Sequence, residues 1–222
     1  VHFEPNSNNC TLTENVICRS LIDIKDLDAN SGDENTCSTP DGWDDDGTTG
    51  CTYSCPSGWC YDYTISDWIN PPETDNWLVD HVIECNDTII TLNGNLWISE
   101  ELRFNNVKLM MNVTSMGQYE IEVRPGGAFY INSKDGFPSI ITNGLSMDIY
   151  YTFTIESGAS AFEMRNSELH NCGWAWNLPN LNMSGLWIAA DNVIMEDNLI
   201  DNNFVGMVFY HSSNHIIFNN TI

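Results

Sequence analysis

The sequence predicts an all-β protein of the solenoid class, in which short strands stack in successive coils. Three observations predict this fold: an imperfect repeat from about Asn86 to Ile222, an apolar strand triplet that opens each repeat, and an asparagine that trails a second strand. The triplets are Leu96-Trp97-Ile98, Ile121-Glu122-Val123, Phe153-Thr154-Ile155, Leu186-Trp187-Ile188 and Met207-Val208-Phe209.

Each triplet has the pattern of a strand with one buried face. Its first and third residues are apolar and its middle residue varies, which is the alternation that a strand imposes on its side chains. Because the backbone N–H and C=O groups of a strand have no partners within the strand, each coil must hydrogen-bond to the coils above and below it, at a spacing of about 4.8 Å. Successive triplets end 25, 32, 33 and 21 residues apart, so we expect loops of variable length.

A second strand and an asparagine follow each triplet. The strands are Leu102-Arg103-Phe104, Phe129-Tyr130-Ile131, Phe162-Glu163-Met164, Val193-Ile194-Met195 and Ile216-Ile217-Phe218, and the asparagines are Asn105, Asn132, Asn166, Asn198 and Asn219. A corner between strands often needs a left-handed backbone, which Asn tolerates better than most residues. We therefore expect these asparagines at corners, with their amides bonded to the asparagine one coil away.

Two segments carry a resemblance to a known family. Asn192-Val193-Ile194-Met195-Glu196-Asp197-Asn198-Leu199-Ile200 and Asn214-His215-Ile216-Ile217-Phe218-Asn219-Asn220-Thr221-Ile222 resemble the short repeats of secreted surface proteins in the pectin-lyase-like superfold. The resemblance covers about the last three fifths of the chain and implies a right-handed parallel β-helix. This superfold includes polysaccharide lyases, hydrolases, adhesins and structural proteins, so the resemblance specifies a fold and leaves the function open.

The chain is expected to have two regions. Residues 1–80 read as an acidic, cysteine-rich and loop-rich N-terminal cap, and residues 81–222 as a parallel β-helix of about five to six coils. A cap is needed because an uncovered coil exposes unpaired backbone groups and the apolar core. The last repeat shows no cap of its own, so we expect either a fragment of a longer protein or an end that another chain covers.

Composition restricts the partners. The chain has 31 Asp and Glu against 7 Lys and Arg, a net charge of −24. Nucleic acid is therefore excluded as a partner, because phosphate contacts need basic residues. No apolar run approaches the roughly 18 residues that cross a bilayer, so the chain is not expected to span a membrane.

Cysteines and sequons indicate a secreted or cell-surface glycoprotein. An even number of cysteines predicts disulfides in an oxidising compartment, with the pairing left open. A zinc site at Cys51, Cys55 and Cys60 is the alternative. The predicted disulfide residues are Cys10, Cys18, Cys37, Cys51, Cys55, Cys60, Cys85 and Cys172, and the predicted glycosylation sites are Asn9, Asn86, Asn112 and Asn182.

Two acidic loops are candidate calcium sites. Asp26, Asp28 and Asn30 alternate along the first loop, and Asp44 and Asp46 lie in the second. A hard cation needs several converging oxygens in a tight turn, and both loops contain Gly. Neither loop matches an EF-hand, and the alternative is a solvated acidic loop.

Tryptophans form a candidate glycan-binding face. Trp97 and Trp187 occupy outward triplet positions three coils apart, or about 14 Å, a spacing that suits stacking against sugar rings. Trp174 and Trp176 lie in the loop before the fourth triplet. The alternative is that loops fold over these side chains and bury them.

The function predicted from these features is a structural or adhesive module of a surface layer, filament or adhesin, which binds glycans or copies of itself. The alternative is a carbohydrate-active enzyme, either a polysaccharide lyase or a glycoside hydrolase, with Glu122 and Glu156 as its carboxylates. The repeats lack a basic cluster of the kind that lyases use, which favours the non-enzymatic role.

Overall fold

The computed structural model describes residues 2–3, 10–15, 17, 24–26, 30–35, 37, 40–46, 48–52, 60–134, 136–144, 149–174 and 184–222. Within these residues every helix or strand element is a β-strand, which confirms the all-β prediction. The chain divides into two compact units, residues 1–57 and 58–222.

The strands are short in the first unit and longer in the second. The first unit contains β1 (His2–Phe3), β2 (Thr11–Thr13), β3 (Ile24–Asp26), β4 (Ser31–Asp33), β5 (Pro40–Asp41), β6 (Asp44–Asp45) and β7 (Thr48–Thr49). The second contains β8 (Cys60–Asp62), β9 (Asp67–Ile69), β10 (Trp77–Val79), β11 (Ile83–Leu92), β12 (Leu96–Ile98), β13 (Glu101–Met111), β14 (Glu120–Val123), β15 (Ala128–Asn132), β16 (Ile140–Asn143), β17 (Thr152–Ile155), β18 (Ala161–Arg165), β19 (Glu168–His170), β20 (Gly185–Ile188), β21 (Ile194–Glu196), β22 (Leu199–Asp201), β23 (Val205–Phe209) and β24 (Ile216–Phe218).

The boundary between the units falls earlier than the sequence suggested at residue 80. The reason is that β8 pairs with β11, and β10 pairs with β12, so residues 60–79 already contribute strands to the second unit.

The first stack is a six-stranded sheet in the order β10-β12-β14-β17-β20-β23, with every neighbouring pair parallel. The predicted triplets lie side by side in this sheet, and their first residues form one column: Leu96, Ile121, Phe153, Leu186 and Met207. The prediction that the triplets stack in parallel is confirmed.

Two further stacks diverge from β13. Residues 101–105 of β13 pair with β15, which continues into β18, β21 and β24 and forms the second stack. Residues 108–111 of β13 pair with β16, which continues into β19 and β22 and forms the third stack. Each set β14–β16, β17–β19 and β20–β22 therefore places one strand in each of three parallel stacks.

The core of the second unit lies between these stacks. The end residues of the first four triplets are buried. The rings of Phe153 and Phe162 meet between the first and second stacks at 5.7 Å, and those of Phe104 and Phe129 meet within the second stack at 5.1 Å. Edge-to-face aromatic pairs of this kind contribute roughly 0.5–1.5 kcal/mol beyond their area burial. The apolar columns therefore bind neighbouring strands together.

The corner between the second and third stacks uses a two-residue unit. A residue with positive φ comes first, as in Asn166 (47°), Asp197 (56°) and Asn219 (52°). The next residue bonds through its side chain to the equivalent residue of the following corner: Asn198 Nδ2 donates to Asn220 Oδ1 at 2.9 Å. Asn tolerates this left-handed backbone because its short polar side chain can bond locally.

The predicted asparagines divide between these two roles. Asn166 and Asn219 adopt the predicted left-handed backbone. Asn198 is the inward ladder residue, while Asn105 and Asn132 lie within β13 and β15. The left-handed prediction is therefore wrong for these three. Beside Asn105 and Asn198 the positive φ belongs to the neighbouring residue, Asn106 (56°) or Asp197 (56°).

The first unit repeats the parallel arrangement on a smaller scale. Strands β1, β3 and β5 form one parallel sheet, and β2, β4 and β6 form another, to which β7 adds an antiparallel edge. Its core contains Ile24 and Trp43, with the Phe3 ring stacked 5.7 Å from Trp43. The sequence predicted a loop-rich region here and missed these stacked strands.

Cysteine pairing follows the prediction in part. Cys37 is bonded to Cys51, and Cys60 is bonded to Cys85, which removes Cys51 and Cys60 from the alternative zinc site. Cys18 and Cys55 lie outside the described residues.

Cys10 and Cys172 are free, so the disulfide prediction is wrong for both. Cys172 is fully buried and acts as a small apolar core residue beside Tyr151, where burial raises the pKa of its thiol. Within the described residues, no helix is long and apolar enough to cross a membrane.

Candidate functional site

The outward face of the first stack carries the predicted tryptophan column. Strand register places Leu78, Trp97, Glu122, Thr154, Trp187 and Val208 side by side, one from each strand. Trp97 and Trp187 are therefore three strands apart, as the sequence indicated. The remaining question is which of the two indoles a ligand can reach.

Trp97 lies in a polar cluster and is partly exposed. Its Nε1 donates to Glu120 Oε1 at 3.0 Å, and the Arg124 guanidinium lies 4.5 Å from the centroid of the indole ring. Arg124 Nε in turn donates to Glu122 Oε2 at 2.6 Å. A cation over an aromatic face is attracted by the ring quadrupole. One hydrogen bond and one cation–π contact therefore orient the indole.

Trp187 is covered. Only 7 % of its surface is exposed, because the ring of Tyr210, which follows β23, lies 4.7 Å from it at an angle of 31°. The prediction of an exposed aromatic at this position is therefore wrong.

Trp174 is partly buried and packs against Gly117, where an added Cβ would come within 2.2 Å of the indole Nε1. That Nε1 is buried with no hydrogen-bond partner, so its polar atom is not presented to a ligand. Trp176 lies outside the described residues. Of the four predicted tryptophans, Trp97 is the one that the described structure presents as a partly exposed ring among polar groups.

The two carboxylates of the enzymatic alternative differ in their surroundings. Glu122 forms an ion pair with Arg124, whose Nε lies 2.6 Å from Glu122 Oε2. Glu156 follows β17, and its backbone N–H donates to Val123 O at 2.9 Å. A glycoside hydrolase needs one carboxyl group in apolar surroundings, whereas the Glu122 carboxylate faces the Arg124 guanidinium.

The first acidic loop is closed by its own hydrogen bonds. Asp26 is buried and accepts from Asn30, at 2.9 Å from the backbone N–H and 2.8 Å from Nδ2. Asp28 lies outside the described residues. The structure thus brings Asp26 and Asn30 together, with an amide donor on each carboxylate oxygen.

The two predicted ligands of the second acidic loop, Asp44 and Asp46, are both exposed. Asp44 accepts from the Gly50 N–H at 2.7 Å, and Asp46 is exposed. Among the described residues, no three His, Cys, Asp or Glu side chains are arranged to hold a metal ion. Calcium binding by either loop stays a prediction.

Asp45, between these two residues, is the buried carboxylate that the sequence analysis missed. Its oxygens accept five hydrogen bonds, from Asn35 N–H and Nδ2, Trp43 Nε1, and Thr52 N–H and Oγ1. Burial would raise the pKa of Asp45, but these donors outweigh it and lower the pKa to about 2. Asn15 bonds to Asn35 in turn, so Asp45 ends an amide ladder.

The third stack carries a histidine between carboxylates. His170 Nε2 lies 3.1 Å from Glu168 Oε2, and its Nδ1 contacts Asp201 on the neighbouring strand. Strand pairing brings His170 and Asp201 together, which no spacing in the sequence indicated. This cluster links adjacent strands.

The described sequons lie in hydrogen-bonded surroundings. Asn86 Nδ2 donates to Glu84 Oε1, and its Oδ1 accepts from Asn105 Nδ2 at 3.1 Å. Asn112 Nδ2 donates to Asn93. A glycan on either amide would replace one of these N–H groups, while Asn9 and Asn182 lie outside the described residues.

Comparison with protein-family models, with curated proteins and with solved structures found no match to this chain. The site must therefore be interpreted from its own geometry.

Proposed function

We propose that this chain is a right-handed parallel β-helix of the pectin-lyase-like type, acting as an adhesive structural module that binds neutral glycans on the outward face of its first stack. Support for the fold comes from three parallel stacks, visited in turn by β14–β16, β17–β19 and β20–β22. A rigid array of this kind holds outward side chains in fixed columns, which is what a binding face requires.

The observation that carries the binding site is the setting of Trp97. Arg124 covers one face of the indole, and strand register puts the outward side chain of Leu78, which is exposed, on the adjoining strand β10. Sugar rings have an apolar face and a polar rim. An indole with an exposed aliphatic neighbour matches the apolar face, and Glu120, Glu122 and Arg124 match the hydroxyl groups.

Charge favours neutral sugars over uronates. Glu120 and Glu122 flank the indole, one cation accompanies them, and the chain carries a net charge of −24. Like charges repel an anionic ligand at this surface, and a neutral hexose avoids that cost. A secreted or cell-surface location is part of the proposal, supported by the two disulfides.

The test is a titration of the protein with neutral and with uronate oligosaccharides, in which calorimetry measures binding. We expect a neutral oligosaccharide to bind and Trp97→Ala to weaken it roughly 3- to 10-fold, the loss of one stacking contact. Phe137→Ala is the matched control, because it removes an exposed aromatic ring outside the first stack. Absence of binding, or equal losses in the two variants, would contradict the proposed site.

The enzymatic alternative is separated by the product. Incubation with the same oligosaccharides, followed by assays for reducing ends and for unsaturated sugars, is expected to show no turnover. Turnover that disappears in Glu122→Gln or Glu156→Gln would replace the adhesive role with the carbohydrate-active enzyme.

A further inference from the structure

A histidine at the corner between β10 and β11 is held by a buried carboxylate. His81 Nδ1 lies 3.1 Å from Oδ2 of Asp62, the last residue of β8, and Asp62 has 4 % of its surface exposed. The other Asp62 oxygen accepts from the backbone N–H groups of Thr64 and Ile65, at 2.8 Å and 3.3 Å. The His81 side chain is 42 % exposed, so one of its ring nitrogens is fixed inside the protein while the ring reaches the surface.

The charge of Asp62 determines which nitrogen of His81 carries the proton. Burial would raise the pKa of Asp62, but hydrogen bonds from Thr64, His81 and Ile65 outweigh burial and lower this pKa. An ionised carboxylate accepts hydrogen bonds and has none to donate, so His81 Nδ1 donates to it. In the neutral imidazole the lone pair is therefore on Nε2.

A second carboxylate lies beside this lone pair. Asp80 Oδ1 is 3.9 Å from His81 Nε2, and the Asp80 side chain is 60 % exposed. Two ligands that each lie about 2.1 Å from a tetrahedral zinc ion are about 3.4 Å apart. A movement of about 0.5 Å by the exposed Asp80 side chain would therefore let both groups bind one ion.

The surroundings of this corner are acidic. Residues 60–101 contain nine Asp and Glu and no Lys or Arg. Strand register places Glu100 on the next coil at the position equivalent to His81, and the Glu100 N–H donates to the Val79 carbonyl at 3.1 Å. Charges of one sign concentrate ions of the opposite sign at a surface, so the corner favours a cation.

His170 provides a contrast within the same unit. Its Nε2 lies 3.1 Å from Glu168 Oε2 and its Nδ1 contacts Asp201, so both ring nitrogens already face carboxylates. A metal ion at His170 would have to displace one of these contacts. At His81, one nitrogen is held and the other is open to a ligand.

We propose that His81 Nε2 and Asp80 bind a divalent transition-metal ion of the zinc type, with Asp62 orienting the imidazole and water completing the coordination. A metal-binding histidine commonly donates its other ring N–H to a carboxylate, which fixes the ring and raises the basicity of the binding nitrogen. Imidazole nitrogen and carboxylate oxygen are both zinc ligands, whereas calcium takes oxygen ligands. Two protein ligands agree with the lack of a three-residue metal cluster among the described residues.

Titration of the full chain with Zn²⁺ at neutral pH tests this proposal, with NMR of the histidine rings and calorimetry as readouts. We expect Zn²⁺ to shift the His81 ring signals and to leave those of His170 in place. Ca²⁺ at the same concentrations should leave the His81 signals unchanged, because the site offers one nitrogen and one carboxylate.

Three variants and one control locate the site. We expect His81→Ala to abolish zinc binding, and Asp62→Asn to weaken it roughly 10- to 100-fold, the usual loss for a residue that orients a metal ligand. Asp80→Asn removes a ligand and should weaken binding at least as much. Asp80 is exposed, so that variant remains informative if Asp62→Asn fails to fold. His170→Ala is the matched control, and we expect it to bind zinc like the unmodified chain.

Three results would overturn the proposal. These are His81 signals that do not respond to excess Zn²⁺, zinc binding that survives in His81→Ala, or a loss in His170→Ala as large as that in His81→Ala. The proposal does not rest on glycan binding. The Trp97→Ala variant is expected to bind zinc unchanged, so failure of glycan binding and failure of metal binding are distinguishable.

Discussion

Asp45 offers the sharpest test of the first unit, because one buried carboxylate accepts five hydrogen bonds there. The perturbation is Asp45→Asn, which keeps the shape and replaces one acceptor oxygen by an amide donor. Each carboxylate oxygen of Asp45 accepts from two N–H donors, so either orientation of the new amide points its NH2 group at N–H groups. We expect the variant to lose roughly 3 kcal/mol or more of stability at neutral pH.

The pH dependence gives a second, independent magnitude. The pKa falls from the ordinary 3.8 to about 2 in the folded protein, which corresponds to roughly 2 kcal/mol of stability. Because the folded pKa is the lower one, this stabilisation is fully present above about pH 4 and is lost as the pH falls through about 2. About half of it should be lost by about pH 3.

The assay uses the indole N–H of Trp43, which donates to Asp45 at 3.0 Å and reports the first unit alone. Its NMR resonance should titrate with an apparent pKa near 2, and its loss in denaturant gives the free energy of unfolding of this unit. Asp46→Asn is the matched control, because Asp46 is exposed and adjacent. We expect that control to cost less than about 0.5 kcal/mol.

A different outcome would refute the reasoning about Asp45. If the Trp43 resonance titrates near the ordinary 3.8, or if Asp45→Asn is no more destabilising than Asp46→Asn, the carboxylate does not hold the ladder together.

Two further predictions concern a corner and a close strand contact of the second unit. Asn198→Ala removes two hydrogen bonds in a buried corner, one from the Ser167 N–H at 3.0 Å and one to the Met164 carbonyl at 2.8 Å. We expect denaturant unfolding to show a loss of roughly 2–4 kcal/mol in the free energy of unfolding. A loss below about 1 kcal/mol would show that the asparagine ladder is not needed. Gly185→Ala would place a Cβ 1.8 Å from the Val205 carbonyl oxygen. The control is Gly144→Ala, whose Cβ meets only side-chain and Cα atoms of Asn112 at 3.2 Å or more. We expect the Gly185→Ala protein to melt at the lower temperature, and equal melting temperatures would contradict the close approach of β20 and β23.

Much of the second unit could be predicted from the alternation of apolar and variable residues in its triplets. The triplets ending in Ile98, Val123 and Ile155 form neighbouring strands in register, because their apolar ends have one possible buried face. The third stack was missed, since each of its strands buries essentially one residue, such as Leu169 or Ile200, and a single apolar residue has no period.

The first unit was missed for a related reason. Its strands span two or three residues, too few for an alternation to be visible. A signal was present in the pairs Glu14-Asn15 and Glu34-Asn35, each with a positive-φ residue before a ladder asparagine, twenty residues apart.

The candidate site shows what spacing alone can supply. The spacing of the triplets predicted that Trp97 and Trp187 lie three strands apart, and the strand register confirms this, because equivalent triplet positions form one column. It could not supply the burial of Trp187, which depends on Tyr210, a residue brought next to it by the pairing of β20 with β23. The partners of Trp97 are Glu120, on the next strand β14, and Arg124, which follows that strand. The local sequence around Trp97 could not predict either contact.

The central claim is that successive segments lie in parallel stacks with fixed register, and distances between paired spin labels test it most directly. Labels introduced through unnatural amino acids at Leu78 and Val208 are five strands apart in the first stack, which predicts a backbone separation of about 24 Å. Strand β11 pairs in parallel with β13, with Ile89 beside Lys108, and so extends the third stack by one strand. Labels at Ile89 and Leu199 are therefore four strands apart, at about 19 Å. Both distances, in a ratio of about five to four, would support the stacks, whereas distances that do not follow the number of intervening strands would contradict them.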